Sequence, residues 1–444
     1  MDRSNIFTAR KIPIDYTDGQ KQALNKVSKF LKSSDHFFLL AGYSGCGKTT
    51  IAENIANFKY ATLLAPTNAA VNRLRDKIDS PLNFSTIHKL LFAAKDESGN
   101  FKKDKSFSPN RTYIIDECSM IDKYILEIII KDAVAKNCKI IFMGDSFQLE
   151  PVGDNPHIFE WENSYPEHFL PENRYELTEV KRYDGSLLKI ATEMRINKKA
   201  AFEQPEDSDL STVAKFSKSL TQDINNKNSY VVLTSTNNRR ILYNKKIRSY
   251  IFKNPTLESQ AQDGDVLVSV SNSNNYSNGE IFEIKKAILV ESFQLHLEIP
   301  SKKADKDPKI VSYKALLYKQ NKMYTVLIPD LVEPSLHGQQ ILNSILEENT
   351  VVSPSTYKLF VIQFTIKKKF GEEKEVIMFN KDVNIATYGY AISCHKAQGQ
   401  EWDNVYIDAY WLMPVWDPAK WFYTAITRAK CKVEVTSNKY LKMY

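Results

Sequence analysis

Four short apolar runs set the pattern of the first third of the chain, and the last three of them close in polar residues. They are HFFLLAG from His36, ATLLAPT from Ala61, RTYIIDE from Arg111 and CKIIFMGD from Cys138. The runs are apolar throughout rather than alternating, which predicts strands buried on both faces, as in a parallel sheet. TTIAENIANF, after the first run, has the spacing of a helix. The same kind of run returns at SYVVLTST from Ser229 and again near the end, in DNVYIDAY and KVEVTS. Between them the period changes. VLVSVSNSNNYSNGEIFEIKKAILV and FVIQFTIKKKFGEEKEVIMF alternate with a period near two and carry turn signals such as Asn278-Gly279. The expectation is an α/β chain with a small antiparallel β domain, over about residues 266 to 381, inserted into its second α/β part.

Ligands of parallel sheets gather at the carboxyl ends of the strands, and the first such end holds AGYSGCGKTT. Three of the chain's 14 glycines, Gly42, Gly45 and Gly47, fall within six residues there. GYSGCGKT fits the phosphate-loop pattern and stands between a predicted strand and a predicted helix. Its backbone N–H groups and the helix N-terminus would surround a β-phosphate. Ser44, Cys46 and Thr50 belong to the same cradle, Lys48 would neutralise β- and γ-phosphate oxygens, and the Thr49 hydroxyl would bind Mg²⁺. The third run ends in Asp116-Glu117. Asp116 would hold Mg²⁺ through water, and Glu117 would orient and deprotonate the attacking water. Together these motifs imply hydrolysis of ATP or a related nucleotide, and many unrelated activities share them.

Composition changes the picture little. A net charge of +7 favours a polyanionic partner, although a solubilising surface gives the same number. The five cysteines show no CxxC spacing, so neither a zinc site nor a disulfide framework is expected. No apolar run approaches the roughly 20 residues of a membrane span. MDRSNIFTARKIPIDY lacks the apolar core of a signal peptide, and the expected location is cytoplasmic.

Further segments narrow the reading. YTDGQKQAL, APTNAA, STIHKLL, MGDSFQLEPV, LTEVKR, LTSTNNRRILYN, YGYAISCHKAQGQEWDNVYID and WFYTAITRAK follow one another in the order of superfamily-1 helicase motifs. The chain resembles superfamily-1B helicases of the Dda- and RecD-like group, from about Thr17 to Val435. That resemblance implies two RecA-like domains: residues 1–84 with 111–177, and 178–265 with 382–444. It also implies a pin hairpin at 85–110 and an SH3-like β domain at 266–381.

The resemblance makes Gln20 an adenine-reading residue, and Gln148, just past a strand end, would contact both the γ-phosphate and nucleic acid. It makes Arg182 and Arg428 arginine fingers of the second domain that reach ATP only when the domains close. Thr67, Thr86, His88, Thr234, Asn237 and His395 match positions that face single-stranded DNA, with Lys396 and Gln398 as additions, while Asn68 stands where the family pattern has His; small polar groups suit phosphate contacts without base reading. Phe101 or Phe107 would supply an apolar wedge on the pin. Motif IV surrounds Arg182 with Lys181 and Tyr183, which leaves the partner for adenine stacking open. The implied activity is 5′→3′ movement of a monomer along single-stranded DNA with duplex separation. A 3′→5′ motor shares the same motor residues. An ATP-dependent RNA remodeler, or an NTPase indifferent to polynucleotides, remains the reading from a different class.

Overall fold

The structure is a computed structural model. It describes residues 15–59, 61–78, 82–95, 101–103, 105–151, 158, 165, 167–180, 186–198, 223, 229–252, 261–271, 273, 276, 278–285, 288–299, 309–320, 323–331, 341, 361–367, 373–379, 383–409 and 417–435. The chain forms two compact units. One comprises Met1–Pro205, Ala397–Ile407 and Leu412–Tyr444; the other comprises Glu206–Lys396 and Asp408–Trp411.

The first unit is built on β1 (Phe37–Gly42), β2 (Thr62–Ala65), β3 (Phe84–Thr86), β6 (Thr112–Ile115), β7 (Lys139–Gly144) and β8 (Arg174–Leu177). Two further strands, β4 (Phe92–Lys95) and β5 (Phe101–Lys103), stand apart as an antiparallel ribbon. The six strands form one parallel sheet in the order β3-β2-β6-β7-β1-β8. Alternate residues of β1 show why its sequence is apolar throughout. Phe37 and Leu39 enter one core, with Ile129 and Phe142, while Phe38 and Leu40 enter another, with Ala23, Ile51 and Val71. These second partners come from α1 (Asp18–Phe30), α2 (Lys48–Lys59) and α3 (Asn68–Lys77), and Ile129 comes from α5 (Lys123–Ala135). The unit also carries α4 (Ile87–Leu91) and α6 (Ser186–Asn197).

In the second unit, α7 (Asn237–Phe252) follows β9 (Tyr230–Thr234). Beyond them come β10 (Val266–Ser269), β11 (Ile281–Glu283), β12 (Ile288–Ile299), β13 (Lys309–Gln320), β14 (Met323–Leu327) and β17 (Val383–Tyr388). These pair in the order β11-β10-β17-β14-β13-β12, antiparallel except for β14 with β17. The period-two stretch therefore does form a sheet, and β17, just past residue 381, is part of it. A separate hairpin joins β15 (Val361–Lys367) to β16 (Glu373–Phe379). β18 (Ala391–Ser393) pairs in parallel with β9, and the short α8 (Cys394–Ala397) follows it.

The last part of the first unit holds β19 (Trp402–Ile407) and β20 (Ala429–Val435), paired in parallel, with α9 (Pro418–Ile426) between them in sequence. Asp417 starts α9 by accepting from the backbone N–H of Ala419 at 2.8 Å and of Lys420 at 3.2 Å, with Pro418 at the first helical position. Among the described residues no helix is long and apolar enough to cross a membrane.

One expectation is corrected here. Phe107 is buried in the first core, its ring 4.5 Å from that of Tyr113, and its backbone N–H donates to Asp132 at 2.7 Å. A core ring held in this way cannot serve as a wedge against a base pair. The other candidate, Phe101, opens β5, and its side chain lies outside the described residues, as does the turn at 96–100. Phe107→Ala is expected to cost about 3–5 kcal/mol of stability, read from the midpoint of denaturant unfolding; a wedge residue would leave that midpoint in place.

Candidate functional site

The phosphate loop leaves β1 at Gly42 and enters α2 at Lys48. Two glycines carry its bend, Gly45 at φ +82 and Gly47 at φ +84, where side chains are strained. A Cβ on Gly47 would also stand 2.4 Å from Nε2 of Gln20, and one on Gly42 would stand 2.7 Å from the sulfur of Cys46. Gln20 sits in the first turn of α1. Its Oε1 accepts from the Thr17 N–H at 3.1 Å, and its Nε2 donates to the Cys46 carbonyl at 2.9 Å. The capping box of one helix thereby holds the shape of the loop before another. Lys48 donates to the carbonyls of Gly42 at 2.7 Å and Tyr43 at 3.0 Å. Thr49 and Thr50 are half-buried in the first turns of α2. Burial pushes the Cys46 thiol up, so it packs the loop as an inert small side chain.

Three carboxylates stand at the ends of neighbouring strands: Asp116 and Glu117 after β6, and Asp145 after β7. All three are at most 5% exposed. Burial and the adjacent Glu117 push the Asp116 carboxyl up, against the pull of Arg73 and Lys48. Glu117 goes the other way. In spite of its burial, Arg73, Arg428 and Lys48 hold it below the usual carboxylate range. Two adjacent acids driven in opposite directions by their surroundings are the kind of pair that divides roles. Glu117 also has φ +52, a left-handed conformation that a non-glycine residue holds only when its surroundings impose it.

Arg73 of α3 accounts for much of this. Its Nη2 donates to Glu117 Oε1 at 2.8 Å and lies 3.5 Å from Asp116, while its Nη1 donates to Glu401 at 3.2 Å. Lys77, one turn on, also meets Glu401 at 3.2 Å.

Asp145 has its own set. It accepts from Arg195 of α6, from the Tyr423 hydroxyl of α9 at 2.7 Å and from the Phe147 N–H at 3.1 Å. Against its burial, Arg195, Lys48 and Tyr423 hold its carboxyl low. The Arg195 guanidinium lies over the Tyr43 ring at 4.1 Å and also binds Ser146 and Glu176. The Tyr423 hydroxyl in turn accepts from the loop N–H of Ser44 at 3.3 Å.

Gln148 is buried, and its Oε1 has no hydrogen-bond partner among the described residues. Arg428, assigned from sequence to the second α/β domain, falls in the same compact unit as the phosphate loop. It is buried and donates to the carbonyls of Thr424 and Gln400 and to the Thr427 hydroxyl. Arg182 lies outside the described residues.

The candidate DNA residues fall in two groups. In the first unit, Thr67 caps α3, accepting from Ala70 at 3.2 Å, and Asn68 is the first residue of that helix. Thr86 caps α4 in the same manner, and His88 of α4 lies 5.4 Å from the Phe92 ring. In the second unit, Thr234 is fully buried, with its hydroxyl on the carbonyls of Thr236 and Ile392. Asn237 opens α7 and accepts from Arg240. His395 and Lys396 share α8. Burial pushes His395 down to about 4, and burial with the nearby Arg240 pushes Lys396 down to about 7.

Arg73, Glu401, Asp145, Arg195 and Tyr423 are the site residues that motif reading passed over. The available signal was Arg73 and Arg195, each an arginine inside a helix of a lysine-rich chain.

A loop of N–H groups with a lysine, beside a buried acid pair at the next strand ends, defines a P-loop nucleotide hydrolase. Comparison with known proteins narrows that class. The AAA domain family matches residues 15–215, and the UvrD-like helicase C-terminal domain family matches residues 388–436. The chain is 32% identical over 200 residues to the ATP-dependent DNA helicase dda of Enterobacteria phage T4, covering 41% of this chain and 43% of that one. It is 26% identical over 473 residues to the RecBCD enzyme subunit RecD of Buchnera aphidicola (Schizaphis graminum), covering 95% of this chain and 73% of that one. An uncharacterized protein of Acanthamoeba polyphaga mimivirus is 25% identical over 470 residues, 88% of this chain and 92% of that protein. The chain is thus similar to superfamily-1 helicases in both of its family-matched segments.

Gly47→Ala should abolish binding of a fluorescent ADP analogue while circular dichroism shows the fold retained. Undiminished affinity would mean that Gly47 and Gln20 do not set the loop.

Proposed function

We propose that the chain is an ATP-dependent DNA helicase that moves 5′→3′ on single-stranded DNA and separates duplex DNA. The observation that carries the proposal is the buried set of Asp116, Glu117 and Asp145 beside the half-buried Lys48, tied to both family-matched segments through Arg73 and Tyr423. In this reading the phosphate loop binds the triphosphate, with Ser44, Gly45 and Gly47 supplying backbone donors and room. Glu117 takes the proton of the attacking water, and Lys48 and Arg428 offset the negative charge that develops on the γ-phosphoryl group. The Gln148 amide, with a buried oxygen unspent, stands ready for the γ-phosphate and its water. Arg182 is a second cation for the same charge, and Gln20 keeps the loop in place rather than spending its amide on adenine.

The donor set also fits Mg²⁺: Oδ2 of Asp116 is buried, 3.5 Å from Arg73 Nη2 and without a hydrogen bond among the described residues, a hard oxygen that would hold this ion through water. Thr49 and Asp116 would hold the ion, which supplies charge neutralisation across the β- and γ-phosphates.

The candidate contacts to single-stranded DNA are Thr67, Asn68, Thr86 and His88 in the first unit and Thr234, Asn237, His395 and Lys396 in the second, each group taken by itself. Nucleotide turnover shifts those contacts and moves the strand. The β4–β5 ribbon with Phe101 is the pin, and the domain limits read from the sequence, with an SH3-like insertion at 266–381, belong to the same proposal. The protein acts as a monomer in the cytoplasm.

Two experiments test this. A duplex with a 5′ single-stranded tail should be unwound with ATP and a 3′-tailed one should not; the reverse preference, or ATP turnover indifferent to DNA, contradicts the reading. The second is a pH series. Lys396, at about 7, loses its charge as pH rises through neutrality, while His395, at about 4, is neutral throughout. A DNA phosphate favours the charged lysine, so affinity for an oligonucleotide should fall between pH 6.5 and about 8.5, and Lys396→Gln should flatten the fall. An equal slope in both proteins would remove Lys396 from the DNA site.

A further inference from the structure

The attacking-water base of the proposed reaction is already engaged. Glu117 Oε1 accepts from Arg73 Nη2 at 2.8 Å, and an oxygen whose lone pair is held in that way is less available for a proton from water. The same guanidinium has a second client: its Nη1 donates to Glu401 at 3.2 Å. Glu401 closes the turn that follows Lys396, so Arg73 stands between the hydrolytic acid and a segment next to the proposed DNA grip.

α3 carries the connection. It opens at Thr67 and Asn68, two of the residues assigned to the strand, and Ala70, Arg73 and Lys77 make one stripe along it at helical spacing. The turn from 398 to 401 lies on that stripe. Gly399 has φ +78, and a Cβ there would come within 3.2 Å of the Ala70 Cβ, so the backbones approach closely. Glu401 meets Arg73 and Lys77 further along. At the start of the turn, Gln398 donates to the Leu149 carbonyl at 2.9 Å, one residue past Gln148. The turn is thus pinned beside the γ-phosphate glutamine at one end and to the guanidinium fork at the other.

We propose that Arg73 is the positioning residue through which bound DNA releases the hydrolytic carboxylate. The proposal rests on the helicase reading above. Without DNA, Arg73 is shared between Glu117 and Glu401 and keeps one oxygen of the base occupied. A strand drawn against the start of α3 displaces the helix relative to the turn. The fork then moves toward Glu401 and Lys77's side of the stripe. Because a carboxylate waits at each end, the guanidinium never loses its counter-charge, and the exchange stays within reach of a modest displacement. A planar fork with two separate N–H faces is needed for this, and a single ammonium cannot serve both acids in the same way.

The test compares wild type with Glu401→Gln and Arg73→Lys, measuring ATP turnover with and without a saturating oligonucleotide. Affinity for a fluorescent ADP analogue, affinity for DNA without nucleotide, and melting temperature are followed alongside. Each variant should cut the ratio of DNA-stimulated to basal turnover at least about fivefold, with both affinities within about twofold of wild type. Wild-type ratios in both variants would overturn the proposal. So would a loss of ratio matched by equal losses of ADP affinity and melting temperature, which is the signature of a merely structural ion pair. A wild-type protein whose turnover ignores DNA would sink the helicase reading itself, and this inference with it.

Discussion

Three carboxylates buried at adjacent strand ends are the constraint around which the first unit is organised. Removing a carboxylate from water costs several kcal/mol unless a cation and hydrogen bonds replace the solvent. Asp116, Glu117 and Asp145 obtain theirs from Lys48 in the phosphate loop, Arg73 in α3 and Arg195 in α6. Each cation comes from a different element, so the charges can be satisfied only if those elements converge. A chain that merely needed stability would do better with apolar side chains at such positions. Retaining buried acids here is the mark of chemistry.

The same pairing draws distant sequence into the site. The Tyr423 hydroxyl accepts from the Ser44 N–H and donates to Asp145, joining residues 379 apart in the chain. Thr424, next along α9, accepts from the Leu149 N–H at 2.8 Å, and Gln398 donates to the Leu149 carbonyl. The strand end after β7 is therefore held on both backbone faces by the C-terminal stretch that carries Arg428. The phosphate loop touches α9 directly, through the Ser44 N–H and the Tyr423 hydroxyl. Nucleotide chemistry can bias other parts of such a molecule because these contacts are discrete and their alternatives few.

Much of this was legible in the sequence, and the reasons are local. Uniformly apolar strands, a glycine loop between strand and helix, and acids at a strand end are rules of backbone and solvent, and they gave the parallel sheet and the placing of the glycine loop and the acids at its strand ends directly. The pairing partners were not legible. Nothing in the spacing of Arg73, Arg195, Tyr423 or Glu401 says which carboxylate each will meet, because those contacts depend on how separated elements pack. Phe107 shows the reverse error: an aromatic residue in a basic stretch reads as exposed, yet Asp132 holds its backbone and the ring completes the core. Thr67 and Thr86 show a third case, where a side chain matched to a DNA motif also caps a helix, two roles that sequence cannot separate.

The most direct test of the account is a structure with Mg²⁺, a nonhydrolysable ATP analogue and a short single-stranded oligonucleotide. The γ-phosphate should lie within hydrogen-bonding distance of Lys48 and Gln148, with Arg428 turned toward it and Glu117 facing the attacking position. Triphosphate bound away from the three carboxylates, with Asp116, Glu117 and Asp145 paired as before and Gln148 untouched, would contradict it.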